Sequence, residues 1–177
     1  MDTADVAFKA ALTGHMVLST IHTNNSVASI TRMIDMGVKP YLIASALEGI
    51  LAQIITRTIC KYCKTEKAPE KELLQLLKVG EDILDQGVFY GRGCDRCNNT
   101  GYLGRTGIFE VFIMNDDFRH HISGNYKESE LINMARASGM RTLIEDGIEK
   151  VRLGATTLEE LVRVIGPQTR HERHCNN

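Results

Sequence analysis

Two pairs of cysteines constrain this chain more than any other feature of its sequence. Each pair has the spacing CxxC, and the four residues are Cys60, Cys63, Cys94 and Cys97. A CxxC turn presents two sulfurs to the same side of a metal ion, and a second turn can complete a tetrahedral shell of four thiolates. Such a shell has no position left for water, so it stabilises a fold and catalyses no reaction. The spacing therefore predicts a structural zinc site.

The same cysteines have other conceivable uses. A thioredoxin-like redox motif needs one CxxC at the start of a helix that follows a strand, whereas this chain has two matched pairs. Disulfides suit a secreted domain, but the first residues do not resemble a secretory leader. A fifth cysteine, Cys175, ends the sequence HERHC, which could bind metal adventitiously or be a frayed terminus. We favour zinc, with disulfides, redox chemistry and unliganded thiols as the alternatives.

Composition and charge limit the partners of the chain. The 177 residues are 43% hydrophobic, and a chain of this length can bury roughly 70% of its unfolded surface in a core. Its formal net charge is -1, and no stripe of Lys and Arg interleaved with aromatic residues occurs, so we expect no nucleic-acid partner. No apolar stretch approaches the roughly 20 residues of a membrane span. We expect a cytoplasmic polypeptide that reaches a membrane only through a partner.

Periodicity and turn residues predict mixed α/β structure. Apolar residues at helical spacing, with capping residues before them and glycines after them, predict helices over about 3–13, 26–36, 41–59, 69–78, 116–123, 128–137, 143–152 and 157–164. The apolar run 16–21 has the length of a buried parallel strand, and residues 108–113 alternate as a strand does. Residues 98–107 contain three glycines and read as a passage of turns.

A polar segment follows the predicted strand 16–21. It consists of His22, Thr23, Asn24 and Asn25. Ligands bind at the carboxyl ends of strands in open α/β sheets, so these side chains are placed to contact a phosphate or a water molecule. Side chains of the same types also turn a chain and cap the next helix. The spacing alone leaves both interpretations open.

Several segments, in this order, resemble one protein family. They are ALTGHMVLSTIHTN at 11–24, RMIDMGVKP at 32–40, LAQ at 51–53, the cysteine pairs, GRTGIFE at 104–110, the segment 147–154 and TTLEE at 156–160. Together they resemble the type II secretion and type IV pilus assembly ATPases, in which the first segment is the histidine box. The resemblance extends to about residue 165.

This resemblance implies an α/β fold class and a domain organisation. Residues 1–59 would be the C-terminal part of a RecA-like P-loop NTPase core, 60–106 a tetracysteine zinc-binding subdomain, 107–168 a strand with a small C-terminal helical bundle, and 169–177 a disordered tail. The chain has no GxxxxGK[ST] phosphate loop and no strand ending in acidic residues that could serve magnesium. We therefore expect a C-terminal fragment that does not hydrolyse ATP alone, because those groups supply most of the stabilisation of phosphoryl transfer.

The resemblance also implies roles for individual residues. His22 would sense the γ-phosphate or position the attacking water, with His15 supporting it. Thr23, Asn24 and Arg57 would contact nucleotide. The full-length protein would use ATP and Mg²⁺, form a homo-hexamer, and work with an inner-membrane platform protein and a cytoplasmic adaptor.

The function implied is a motor that drives protein secretion or pilus extension. The tetracysteine insertion favours these two branches over retraction motors, which generally lack it. The alternative is a self-standing zinc-dependent protein-interaction module. Residues 94–101 indicate it, because they distantly resemble DnaJ-type cysteine repeats.

Overall fold

The computed structural model of the protein describes residues 3–80 and 87–166. The predicted tail 169–177 and Cys175 lie outside the described residues. The chain divides into two compact units, which we call the first unit (Met1–Ala52 with Glu110–Thr142) and the second unit (Gln53–Phe109 with Leu143–Asn177). The predicted domain boundaries stay a prediction.

Helices and strands mix along the described chain. The helices are α1 (Thr3–Leu12), α2 (Ser26–Asp35), α3 (Pro40–Ala46), α4 (Lys71–Leu77), α5 (Asp116–Ser123), α6 (Glu128–Ala137), α7 (Leu143–Arg152) and α8 (Leu158–Ile165). The strands are β1 (Gly49–Ile59), β2 (Lys64–Lys67), β3 (Val88–Gly91) and β4 (Tyr102–Ile113), with a 3₁₀ turn at Asp95–Cys97. None of these helices is long and apolar enough to cross a membrane.

The helix starts follow their capping residues. Asn25 Oδ1 accepts from the Ala28 N–H at 2.7 Å, and Asn115 Oδ1 accepts from the Phe118 N–H at 2.9 Å. Thr157 Oγ1 accepts from the Glu160 N–H at 3.1 Å, so Thr157 is the cap of α8. A cap satisfies a backbone donor that has no partner inside the helix. These local bonds explain why the predicted starts at 26 and 157 agree with the structure to within a residue.

The helix predicted over 41–59 is wrong beyond Ala46. After α3, the chain passes Gly49 and continues as strand β1, along which exposed and less exposed residues alternate. Residues such as Ile50 and Ile54 are four apart, a spacing that fits one face of a helix and also one side of a strand. The β-branched residues of this segment favour the strand once a partner strand is present.

The buried strand predicted over 16–21 is also not formed. Residues 15–23 have no regular secondary structure, and the side chains of Met16 and Leu18 are 91% and 90% exposed. A strand exists only through hydrogen bonds to a neighbouring strand. No strand among residues 3–80 and 87–166 pairs with this segment.

The passage of turns predicted over 98–107 is confirmed only in its first half. Asn98, Asn99 and Gly101 have positive φ, as turn residues do, but β4 begins at Tyr102. The Met114 N–H donates to the Glu48 carbonyl at 2.9 Å in the first unit, and the Cys60 N–H donates to the Gly101 carbonyl at 2.9 Å in the second. The start of β1 therefore lies beside the end of β4, so the pair is antiparallel.

The core of the first unit is apolar and mostly helical. Its buried residues come from α2, α3, α5, α6 and the end of β4, and they include Val27, Ile30, Ile43, Phe112, Phe118, Ile122 and Leu131. The rings of Phe112 and Phe118 stack with centroids 5.0 Å apart. Arg119 Nη1 donates to the Ala44 carbonyl, which occupies a free acceptor at the end of α3.

The second unit combines a small two-stranded sheet with helices. β2 and β3 are antiparallel, with Lys64 opposite Gly91 and Lys67 opposite Val88, and helix α4 lies between them in the chain. Helix α8 packs against α4 and α7, and α7 also contacts β3. This sheet was not predicted, because the sequence of β2, KTEK, has no apolar alternation. The Lys64–Gly91 end of the sheet adjoins the cysteine pairs.

Candidate metal centre and histidine segment

The structure brings the four predicted cysteines together. The sulfurs of Cys60, Cys63, Cys94 and Cys97 all lie within 4.8 Å of one another. The Sγ–Sγ distance is 3.9 Å for Cys60–Cys94, 3.9 Å for Cys63–Cys97 and 3.7 Å for Cys94–Cys97. Tetrahedral zinc with Zn–S bonds of about 2.3 Å requires sulfurs about 3.8 Å apart, whereas a disulfide needs about 2.05 Å. The four thiols fit one zinc ion.

Two turns present these sulfurs. Cys60 follows β1 directly, and the Cys63 N–H donates to the Cys60 carbonyl at 3.2 Å just before β2 begins. Cys94 precedes the 3₁₀ turn after β3 and Cys97 is its last residue, and the Cys97 N–H donates to the Cys94 carbonyl at 3.1 Å. Asn98 ends this turn in the left-handed conformation, with φ of 50°. The CxxC spacing therefore forms the two turns that a tetrahedral site needs.

The thiols of the cluster differ in acidity. Burial raises the pKa of Cys63 to about 12, although the backbone N–H of Gly93 opposes this effect. Burial also acts to raise the pKa of Cys97, but the backbone N–H groups of Cys94 and Gly101 outweigh it and bring that pKa down to about 6. Thiolates are the form that binds metal. Metal binding here should therefore release protons, with Cys63 as one source.

Two glycines allow the end of β3 to lie against the turn that precedes β4. A Cβ on Gly91 would lie 2.0 Å from the Gly101 carbonyl oxygen, and a Cβ on Gly101 would lie 2.4 Å from the Gly91 oxygen. Real side chains never come this close to backbone atoms, so both positions require glycine. Gly101 also accepts the hydrogen bond that fixes Cys60. No local sequence pattern indicates that these two residues touch.

Arg57, predicted to contact nucleotide, is held by a buried carboxylate. Its Nε and Nη2 donate to Glu160 Oε2 at 3.0 and 2.6 Å, and its backbone N–H donates to Glu160 Oε1 at 3.0 Å. The guanidinium also lies over the Tyr102 ring, 4.1 Å from its centroid. Arg163 donates to the same carboxylate at 2.7 and 2.6 Å. Arg57 thus links β1 to α8, three residues before Cys60.

Glu160 is the acceptor that Arg57 and Arg163 share. The residue is 1% exposed. Burial alone would raise the pKa of Glu160, but hydrogen bonds from Arg163 and Arg57 outweigh it and hold the pKa at about 2. No sequence pattern indicates that Arg57 and Arg163 share this carboxylate.

We call His22, Thr23 and Asn24 the histidine segment. This segment lies along an open groove of the first unit. His22, Thr23 and Asn24 line it together with Ala28, Thr31, Arg32, Asp35 and Glu128, and its volume is about 280 Å³. His22 and Asn24 are exposed, while Thr23 is half-buried and donates to the Asn25 carbonyl at 3.1 Å. His15 is not among the lining residues, and its Nδ1 lies 3.0 Å from Thr13 Oγ1. His15, His22, Thr23 and Asn24 were the residues of this part of the chain predicted to serve nucleotide. The structure brings the last three together in one groove.

A buried carboxylate behind this segment was missed. Glu110 Oε1 accepts from the Ser26 N–H at 2.8 Å and from Ser26 Oγ at 2.5 Å. Glu110 is 4% exposed and lies on the same side of β4 as the buried residues Ile108 and Phe112. A charged residue at an inward position of a strand is unusual, since burial of an unpaired charge is costly. That pattern was the signal that could have identified it.

The fold and the candidate metal centre together define the class of this protein. The chain is a mixed α/β protein with a tetracysteine cluster that fits a structural zinc ion. The family model described as "Type II/IV secretion system protein" matches residues 1–163. The chain belongs to this family.

Known relatives come from both branches of the family. The chain is 44% identical over 162 residues to the type IV pilus assembly ATPase PilB of Thermus thermophilus, covering 91% of this chain and 18% of that protein. It is 42% identical over 164 residues to the type II secretion system protein HxcR of Pseudomonas aeruginosa, covering 93% and 31%. It is 41% identical over 166 residues to the type II secretion system ATPase E of Vibrio cholerae, covering 93% and 32%. The chain thus spans a third or less of each relative.

Proposed function

We propose that this chain is the C-terminal part of a hexameric motor ATPase that couples ATP hydrolysis to protein secretion or pilus extension. The observation that carries the proposal is the family match over residues 1–163, which includes the histidine segment and the four cysteines. Relatives that match this region are named as ATPases of pilus assembly and of type II secretion. In this proposal, residues 1–59 contribute to a RecA-like core, residues 60–106 form the zinc-binding part, and a strand with a small helical bundle follows over 107–168.

The histidine segment would serve the nucleotide. His22 would sense the γ-phosphate or position the attacking water, and Thr23 and Asn24 would contact nucleotide beside it. The shared groove supports this grouping, because the exposed His22 and Asn24 can reach a ligand there. His15 would act from outside the groove. For Arg57, nucleotide contact would compete with the ion pair to Glu160, so its role in this proposal is indirect.

The four cysteines would hold zinc as a structural ion. Zinc supplies a cross-link between the two CxxC turns and takes no part in phosphoryl transfer. ATP and Mg²⁺ would be bound mainly by parts of the full-length protein that carry the phosphate loop. The isolated chain is then expected to show no ATPase activity.

The proposed location is the cytoplasmic face of the inner membrane. The motor would attach there through an inner-membrane platform protein and a cytoplasmic adaptor, and nucleic acid would not be a partner. Support for this placement is the family membership together with the secretion and pilus systems named for the relatives.

A chimaera tests the proposal. Residues 1–163 would replace the matching segment of the Vibrio cholerae ATPase, and ATP hydrolysis would be measured for the chimaera and for His22→Ala. We expect an active chimaera whose kcat falls by about a hundredfold in the variant, the usual contribution of a group that acts on the transferring proton or charge. His120→Ala, on an exposed face of α5 outside the groove, is the matched control. Equal kcat values for the two variants would contradict the role of His22.

A further inference from the structure

Behind the histidine segment, the carboxylate of Glu110 faces the first turn of helix α2. We propose that Glu110 is a positioning residue, which fixes the start of α2 and thereby orients His22, Thr23 and Asn24 in the groove. The inference rests on the proposed function, in which this segment contacts the nucleotide. Glu110 itself does not line the groove.

The Glu110 carboxylate occupies the position at the start of helix α2 where a bound anion would otherwise lie. Its Oε1 accepts both the backbone N–H and the hydroxyl of Ser26, the first residue of α2, at 2.8 and 2.5 Å. Ser26 is 0% exposed and Glu110 is 4% exposed. A buried carboxylate is tolerated where charge-assisted hydrogen bonds and the positive end of a helix dipole compensate for lost water. This site meets both conditions.

Hydrogen bonds of Asn25, the residue directly before Ser26, connect the start of α2 to the histidine segment. The Asn25 side chain accepts from the Ala28 N–H at 2.7 Å, and the Asn25 carbonyl accepts from Thr23 Oγ1 at 3.1 Å and from Ser29 Oγ at 3.3 Å. The hydroxyls of Thr23 and Ser29 are 2.7 Å apart. The backbone from Thr23 to the first turn of α2 is therefore held at several points. His22 precedes this fixed stretch directly.

The same contacts determine which groups remain for a phosphate. A helix start normally offers its first free N–H groups to an anion. Here the Ser26 N–H is taken by Glu110 and the Ala28 N–H by Asn25. The negative charge of Glu110 also offsets the helix dipole. The γ-phosphate in the proposed function is therefore recognised by the side chains of the histidine segment rather than by the start of α2.

The first test uses the 177-residue chain and NMR. Glu110→Gln keeps the size of the side chain but removes its charge. We expect the Ser26 amide to exchange about tenfold faster, because hydrogen bonds to a charged acceptor are about twice as strong as neutral ones. We also expect the ring signals of His22, identified by their loss in His22→Ala, to shift. The matched control is Asn115→Ala, which removes the cap of α5 in the same unit.

The control separates positioning from a general loss of stability. Asn115→Ala should accelerate exchange of the Phe118 amide, which Asn115 caps, and leave Ser26 exchange and the His22 signals unchanged. Ser26→Ala, which removes the hydroxyl but keeps the backbone bond, should shift the His22 signals in the same direction as Glu110→Gln, by less. Unchanged His22 signals in a folded Glu110→Gln variant would overturn the inference, even if Ser26 exchange accelerates. Equal His22 shifts in Asn115→Ala would also overturn it.

The second test uses the chimaera with the Vibrio cholerae ATPase. Glu110→Gln should lower kcat about tenfold, the same fold-change as expected for exchange of the Ser26 amide, and should leave KM for ATP nearly unchanged. Asn115→Ala should change neither kcat nor KM. If His22→Ala kept full kcat, the proposed function would fail, yet the His22 signals would still decide whether Glu110 orients the segment. A Glu110→Gln chimaera with normal kcat, beside an impaired His22→Ala, would overturn the inference alone.

Discussion

Replacing the buried Glu160 with glutamine should make the second unit less stable at neutral pH and much less so in acid. Glu160→Gln keeps the size of the side chain and an oxygen acceptor, and it removes the charge that Arg57 and Arg163 share. The pKa of Glu160 is about 2 in the folded protein, against an ordinary value of 4.5. The carboxylate therefore contributes stability above pH 4.5, and this contribution is lost as the pH falls toward about 2.

The magnitude follows from the two pKa values. At about 1.4 kcal/mol for each pH unit between them, the difference corresponds to about 3 kcal/mol at pH 7. The side chains of Arg57 and Arg163 are 47% and 57% exposed, so water screens part of the interaction. We therefore expect the free energy of unfolding to fall by about 2 kcal/mol in Glu160→Gln. At pH 3 more than half of that deficit should have disappeared.

Urea unfolding at pH 7 and pH 3 measures this difference. The NMR signals of Ile108 and Leu161, two buried side chains of the second unit, would follow the transition. Glu149→Gln is the matched control, because Glu149 forms an exposed i,i+3 pair with Arg152 in the same unit and should matter by less than about 0.5 kcal/mol at either pH. Acid also releases metal from thiols, and the control shares that loss. A Glu160→Gln variant as stable as wild type at pH 7, or equally destabilised at both pH values, would refute the reasoning.

Three further predictions concern the metal centre, the glycine contact beside it and helix α8. Protein purified without added zinc should contain about one zinc per chain; elemental analysis should find it absent in Cys97→Ser and retained in Cys175→Ser. In urea unfolding, Gly91→Ala should lower the free energy of unfolding by about 3 kcal/mol, because its Cβ would lie 2.0 Å from a backbone oxygen. Gly104 has open space around it, so Gly104→Ala should lower that free energy by only about 1 kcal/mol, through its positive φ. Thermal unfolding of Thr157→Ala should show a loss of about 1 kcal/mol, which Thr157→Ser restores; equal stability of alanine and serine would contradict the cap.

The sequence alone was sufficient for features that depend on near neighbours. Helices α5, α6 and α7 have the predicted bounds, because caps, glycines and apolar spacing act within one or two turns. The cysteine cluster was predicted for a similar reason, since each CxxC turn is local and the chemistry of four thiols specifies the ion.

Strand pairing could not be read in the same way. The segment after Ala46 satisfies the spacing of a helix, and only the presence of β4 beside it makes it a strand. Residues 16–21 have the composition of a strand but no partner in the described part of the chain. β2 is polar, and it pairs with β3 across the intervening segment 68–87, which contains α4. A strand is stabilised by another strand, whose distance along the chain the local pattern does not contain.

The two buried carboxylates show most clearly what the tertiary structure decided. The chain separates Ser26 from Glu110 by 84 residues and Arg57 from Glu160 by 103. The sequence by itself determined the family, most of the helices and the cysteine cluster, since these depend on residue types and short spacings. Only the folded chain determined which charge each glutamate meets, because a buried carboxylate is tolerated solely where distant donors converge on it.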